Sequence, residues 1–266
     1  MPSFPIFRAA LPATLALTLG ACSMPMLQGA GGGTDGTRSA TLQLARANED
    51  AGNYTEAAKL FEQVLATDPN SVAALLGAGE SYGSLGQTLR AEDALKRGLK
   101  LDPGNVDILN QLGRIRLAEH DSAGAIAYFN RALNESPRNV SAFTGKAVAL
   151  DYASQHRAAQ AVYKRALAIY PTNYILLSDY ALSLVVTGQQ ERGIRILQDL
   201  IRDPTAAKHV RGNLALAYGL AGRDTDARAT LKTDFSAAEI KHNIAVYHSL
   251  RRLMAEGKPI GALVFG

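Results

Sequence analysis

Cys22 is the one cysteine of the chain, and it stands at the end of an apolar run. A lone thiol forms no disulfide within its own chain and cannot build a cysteine-rich zinc site. Its chemistry reduces to three options: a small buried hydrophobe, a nucleophile, or the acceptor of a covalent modification. A catalytic site would need an acid/base pair, a nucleophile with its base, or a metal cluster. The five histidines, His120, His156, His209, His242 and His248, are separated from one another along the chain. His242 and His248 are six apart, so they do not share a helical face at the three- or four-residue spacing of a ligand pair. The stretch from Gly29 to Gly36 is glycine-rich, but it has no phosphate-loop lysine and no preceding strand, and so it is a linker. These residues offer no metal site, no cofactor site and no catalytic group; the expectation is a protein that is not an enzyme.

Position selects among the options for Cys22. It follows Arg8 and an Ala- and Leu-rich run from Ala9 to Gly20, broken by Pro12. The run is shorter than the roughly 20 apolar residues that span a bilayer. It suits the apolar core of a secretory signal, with small residues Gly20 and Ala21 at its end. An ordinary signal cut near Ala21 would leave the cysteine incidental. Leu19-Gly20-Ala21-Cys22, however, resembles the bacterial lipobox, which implies a diacylglyceryl group on Cys22 and a mature chain beginning there. Stable anchoring takes two or more acyl chains, at about 0.8 kcal/mol per buried methylene, and the triacylated amino terminus implied by the resemblance meets that need. Ser23 follows, not the Asp that commonly retains enteric lipoproteins in the inner membrane. The implied location is the periplasmic face of the outer membrane.

The rest of the composition narrows the class. Aromatic residues are 6% of the chain and Trp is absent, while Ala and Leu are abundant, which suits close-packed helices. The net charge of +4 is mild, and Lys and Arg are scattered rather than interleaved with aromatics, so nucleic acid is excluded as the expected partner. From Ser23 to Ser39 the chain is Gly-rich and polar. Such a segment buries too little apolar surface to offset its ordering entropy. It is expected to be a disordered tether holding the domain roughly 20–25 Å from the membrane.

Beyond it the prolines are periodic. Pro69, Pro103, Pro137 and Pro171 recur every 34 residues, and Pro204 follows after 33. Pro cannot continue a helix, and Ser71, Asn105, Asn139 and Asn173, each two residues after its Pro, are good N-caps, so each block closes one helix and opens the next. Numbered from Arg38, Val72, Val106, Val140, Tyr174 and Lys208, six units align. Position eight is Ala45, Gly79, Gly113, Ala147, Ala181 and Ala215, and position twenty is Ala57, Ala91, Ala125, Ala159, Gly193 and Ala227. Position twenty-four is always large: Phe61, Leu95, Phe129, Tyr163, Leu197 and Leu231. Two small positions and one large one, at a period of 34, resemble the tetratricopeptide repeat. The resemblance implies an all-α solenoid, a right-handed superhelix of six helix-turn-helix repeats. Lys146 stands where the repeat usually has Leu, and its stem is expected to lie along apolar surface with its ammonium in water. Asp234 falls where the sixth repeat's second helix should still be apolar, which predicts that this helix ends near Lys232.

After the repeats, Ser236 and Glu239 form a capping-box pattern, and Ile240, Ile244, Tyr247 and Met254 lie on one helical stripe until Gly257 and Pro259 stop it. This helix is expected to cover the open face of the last repeat. The domain organisation is then a signal peptide over 1–21, a lipidated tether over 22–37, six repeats over 38–235, and a capping helix and tail over 236–266.

In such repeats the first helix lines the concave face, an inference carried over by resemblance. Position nine then runs Arg46, Glu80, Arg114, Val148, Leu182, Leu216, and position thirteen runs Asp50, Ser84, Ala118, Tyr152, Val186, Leu220. The groove is expected to pass from charged to apolar, with Asn110, Arg114, Tyr152, Leu182, Val186 and Leu216 as its partner-binding residues. The other possibility is that the late residues are covered by the superhelix or by the C-terminal helix. Asn110 and Arg114 are all that is present of a carboxylate clamp, without its lysines. Lipobox, tether, six repeats and terminal helix together resemble the TPR lipoproteins of the tight-adherence (Flp) pilus machinery, the TadD family, and the layout is similar to that of type IV pilus pilotins. The resemblance implies an outer-membrane adaptor for protein partners, among them the secretin pore. The same architecture could serve β-barrel insertion, polysaccharide export or activation of a cell-wall enzyme.

Overall fold

The computed structural model describes residues 33–265, which form fourteen helices and, among the described residues, no strand. Cys22, its lipobox and the signal run lie outside the described residues. Helices α1 (Gly33–Asp50) and α2 (Tyr54–Thr67) make the first pair, followed by α3 (Val72–Ser84) with α4 (Thr88–Leu101) and α5 (Val106–Ala118) with α6 (Ser122–Glu135). Then come α7 (Val140–Tyr152) with α8 (His156–Ile169), α9 (Tyr174–Val186) with α10 (Gln190–Leu200), and α11 (Pro204–Leu220) with α12 (Asp224–Leu231). Helix α13 (Ala237–Ala255) and a short α14 (Gly261–Val264) complete the chain.

The caps explain the boundaries. Ser71, Asn105, Asn139 and Asn173 each accept a hydrogen bond from the backbone N–H three residues on, at 3.4, 3.1, 2.8 and 3.0 Å. The fifth block has no such residue, and there α11 begins on Pro204 itself, whose missing N–H is no loss at a helix start. Helix α12 ends at Leu231, as Asp234 predicted. Ser236 and Glu239 form the expected capping box. One boundary differs: α1 begins at Gly33, so positions 33–37 of the expected tether are helical. Once Ala45 is buried and Leu42 packs beside it, each added upstream residue gains a hydrogen bond without a new nucleation cost.

Every residue at positions eight, twenty and twenty-four is buried. The reason for small against large is visible at Phe129, whose ring is wedged between two repeats. A Cβ on Gly113, in its own repeat, or on Gly145, in the next, would come within 2.8 or 2.3 Å of that ring. Position fifteen carries the turn within each repeat, and all six residues there have positive φ: Gly52, Gly86, His120, Ser154, Gly188 and Gly222. His120 and Ser154 thus hold a conformation that glycine adopts at less cost.

The first helices of successive repeats touch one another along the stack, α1 on α3, α3 on α5, and so on to α11, whereas second helices meet their neighbours in sequence. The first-helix layer is therefore the inner, concave one. Helix α13 packs on α11 and α12, burying Ile240, Ile244, Tyr247 and Leu250 against the last repeat. It is the expected cap; Met254 lies at its edge, partly buried.

Candidate functional site

On the concave side of repeats one to three the side chains are polar and reach open space. Arg46 and Arg114 are exposed, with Glu80 half-buried between them in the repeat register. Glu80 accepts a hydrogen bond from Gln111 Nε2 at 2.7 Å, and Glu49 accepts one from Ser81 Oγ at 3.2 Å. Burial raises the Glu80 carboxyl, and it pushes Glu49 up to about 7, helped by the nearby charge of Glu80 and opposed by Arg46. Such a surface supplies alternating donors and acceptors to an extended segment laid along it.

Glu80→Gln is expected to move the Glu49 titration down from about 7 toward 4.5, because a charge that disfavours its ionised form is gone. Glu49's folded pKa lies above its unfolded value, so the stability it contributes is full below pH 4.5 and is lost as pH rises through 7. The variant's stability should accordingly fall less across that window. Carboxyl NMR titration with chemical denaturation at pH 4.5 and 8 checks both; an unmoved Glu49 midpoint would count against the coupling.

The expected partner-binding residues fall into separate environments. Arg114 is exposed in the polar half. Asn110 is buried at 4% exposure and donates to Asn139 Oδ1 at 3.1 Å, so it braces the N-cap of the next repeat. Tyr152 is half-buried, with its ring stacked on His120 and its hydroxyl hydrogen-bonded to His120 Nδ1. Leu182, expected on open surface, is buried at 4% exposure within the C-terminal apolar cluster, and Val186 and Leu216 pack against the same cluster. Leu182 is therefore core rather than open groove surface, while Val186 and Leu216 are half-buried and Leu216 lines a partly open apolar pocket. What was missed is the tail: Ile260 is buried in that cluster, Val264 and Phe265 pack on it, and α14 rests on α7.

A second polar group lies beneath the tail. Asp151, fully buried, accepts from His156 Nδ1 at 2.7 Å and from Ser183 Oγ at 2.8 Å. Burial raises its carboxyl, opposed by these two hydrogen bonds. In acyl transfer the imidazole stands between serine and carboxylate to take the hydroxyl proton. Here the carboxylate is in the middle, so no imidazole reaches Ser183, and the hydrogen bonds tie repeat four to repeat five. Gln160 adds to the tie by donating to the Ser183 carbonyl at 3.1 Å and to Thr187 Oγ1 at 3.0 Å. Among the described residues no group of three or more potential ligands could hold a metal ion, and no helix is long and apolar enough to cross a membrane.

Comparison with known proteins agrees with this architecture. The tetratricopeptide repeat family profile matches residues 49–112. The uncharacterised protein y4yS of Sinorhizobium fredii (strain NBRC 101917 / NGR234) is 37% identical over 136 residues, 48% of this chain and 75% of that protein. A crystal structure of a tetratricopeptide repeat protein from Parabacteroides merdae ATCC 43184 superposes with a TM-score of 0.68 at 16% identity, covering 81% of this chain and 86% of that one. PilW, described as a widely conserved type IV pilus biogenesis factor, superposes at 0.67 and 22% identity over 79% of this chain and 98% of its own. At these identities the two structures speak to the fold alone. Six helix pairs in 34-residue register make the chain a tetratricopeptide repeat solenoid, and, with that relative matched over three quarters of its length, it belongs to the same family as y4yS.

Proposed function

We propose that the chain is a lipid-anchored, non-catalytic scaffold at the periplasmic face of the outer membrane, holding a protein partner in its concave groove during assembly of a tight-adherence (Flp) pilus. The observation that carries the binding function is the open polar half of the groove, where Arg46, Glu80, Gln111 and Arg114 line the inner layer of α1, α3 and α5. The pilus assignment is supported by the sequence resemblance of lipobox, tether, six repeats and terminal helix to the TadD family. The partner in this proposal is the secretin, whose assembly or localisation the scaffold assists. The test is co-purification of tagged chain with the secretin from solubilised membranes, beside Arg114→Glu. Loss of secretin from the variant, with helical content unchanged, is expected; equal capture by both would reject the polar half as the site.

Cys22→Ser is expected to release the protein from the membrane while leaving melting unchanged. Cys22 lies eleven positions before the first residue of α1 in the sequence, ahead of all six repeats. Fractionation that still finds the variant tightly in the outer membrane would reject the anchor.

A further inference from the structure

We propose that the C-terminal segment Ile260–Phe265 is an internal occupant of the concave groove, displaced by a partner's short apolar helix that carries a small residue where Gly261 sits. The proposal rests on the groove-binding function above and adds its regulation and the chemistry of the displacing segment.

The first observation is the path of the chain. Helix α13 stays on the last repeat, but Gly257, at φ +68°, turns the backbone, and α14 then rests on α7 of repeat four. The tail thus reaches back across two repeats. Ala255 to Pro259 are exposed, so the connection itself is not held by burial.

The second is how closely the tail fits at one point. A Cβ at Gly261 would lie 2.1 Å from the Asp151 carbonyl oxygen, 2.8 Å from that of Tyr152 and 3.0 Å from Ser154 Oγ. Two of these are backbone atoms at the end of α7, which do not swing aside, so the contact admits glycine alone in this pose. Ile260 is 3% exposed, and the Phe265 ring lies 6.4 Å from that of His156. The receiving surface includes Ser154, which holds a positive φ of 59° without being glycine.

The third is how poorly it fits elsewhere. Between the tail and α13 lies an apolar cavity of about 610 Å³, lined by Leu216, Leu231, Phe235, Val246, Leu250 and Leu263 among others. Leu263 remains 49% exposed. This pocket opens to solvent on one side, where Glu239, His242 and Asn243 complete its lining. A segment with one exact contact and unfilled apolar space beside it is well placed to be exchanged for a larger one. The tail's own pattern, Ile260-Gly261-Ala262-Leu263-Val264-Phe265, defines the chemistry: an apolar turn of helix with a small residue at the crossing.

The probe is a fluorescein-labelled synthetic peptide of residues 258–266, titrated by anisotropy into the full chain and into full-chain Gly261→Leu. A tethered segment competes at an effective concentration in the millimolar range. Micromolar peptide should therefore bind the wild type poorly and the variant at least tenfold more tightly, with faster amide hydrogen exchange at 261–265 in the variant. Ile260→Asn, which loosens the tail without the bulk of Leu, is expected to act in the same direction and serves if Gly261→Leu lowers helical content. Unchanged peptide affinity in both variants overturns the proposal, as does failure to bind by a folded variant whose tail amides have become fast-exchanging. Either result, with secretin capture by the wild type retained, removes the internal occupant and leaves the scaffold function standing.

Discussion

Truncation after Asp234 is expected to unfold the last two repeats and drive aggregation. The removed segment carries Ile240, Ile244, Tyr247 and Leu250, all buried against the sixth repeat, and Ile260, buried in the same cluster. Full burial of a large apolar side chain contributes about 1.5–3 kcal/mol, so the four helix residues together stabilise by on the order of 10 kcal/mol. That is comparable to the whole stability of an ordinary domain, about 5–15 kcal/mol. The gap is sharpest at Gly219, where a Cβ would stand 2.3 Å from the Tyr247 ring: that ring sits directly on the backbone of α11, and without it the helix meets water. Because a repeat stack is stabilised between neighbours, the damage should fade toward α1. Hydrogen exchange should find α1 to α6 still protected when α9 to α12 are not. A monomeric truncated chain with unchanged melting would show that the segment is an ornament to the stack rather than its cap.

Gly193→Ala should cost about 3 kcal/mol, at the upper end for overpacking. Five of the six repeats have Ala at this position, so by the repeat pattern alone the substitution looks harmless. The structure says otherwise. A Cβ at Gly193 would be 2.4 Å from the Ala181 carbonyl oxygen and 2.6 Å from Val185 Cγ2. The valine methyl can rotate away, but the carbonyl belongs to the backbone of α9 and moves only with the helix. For a domain of this size, at about 2–4 °C per kcal/mol, the melting temperature should fall by roughly 10 °C. Gly212→Ala is the matched control, since a Cβ there meets nothing within 4 Å and α11 should gain about 0.5–1 kcal/mol from the lost chain entropy of glycine. Thermal melts of the two variants should therefore move in opposite directions. Equal small effects would mean that α9 and α10 lie farther apart than described.

Much of this protein is local chemistry repeated, and for that reason its sequence determines much of it. A Pro ending one helix and a Ser or Asn capping the next act within a few residues, so Pro69 and Ser71, or Pro137 and Asn139, place a boundary without help from the rest of the chain. Small residues at positions eight and twenty and a large one at twenty-four state how neighbouring helices meet, because each repeat contacts chiefly the next. The capping box at Ser236 and the early end of α12 are legible on the same grounds. The groove is different. Leu182 and Ile260 end in one apolar cluster, and the tail's contact joins α14 to α7 across more than a hundred residues with no periodic pattern to announce it. Likewise, Asn110 resembles a ligand until Asn139 is seen to take its amide, and Gly193 resembles a tolerant small position until the Ala181 carbonyl is placed against it. Local capping and nearest-neighbour packing are encoded residue by residue, whereas the docking of α14 on α7 is a long-range contact that only the folded chain decides.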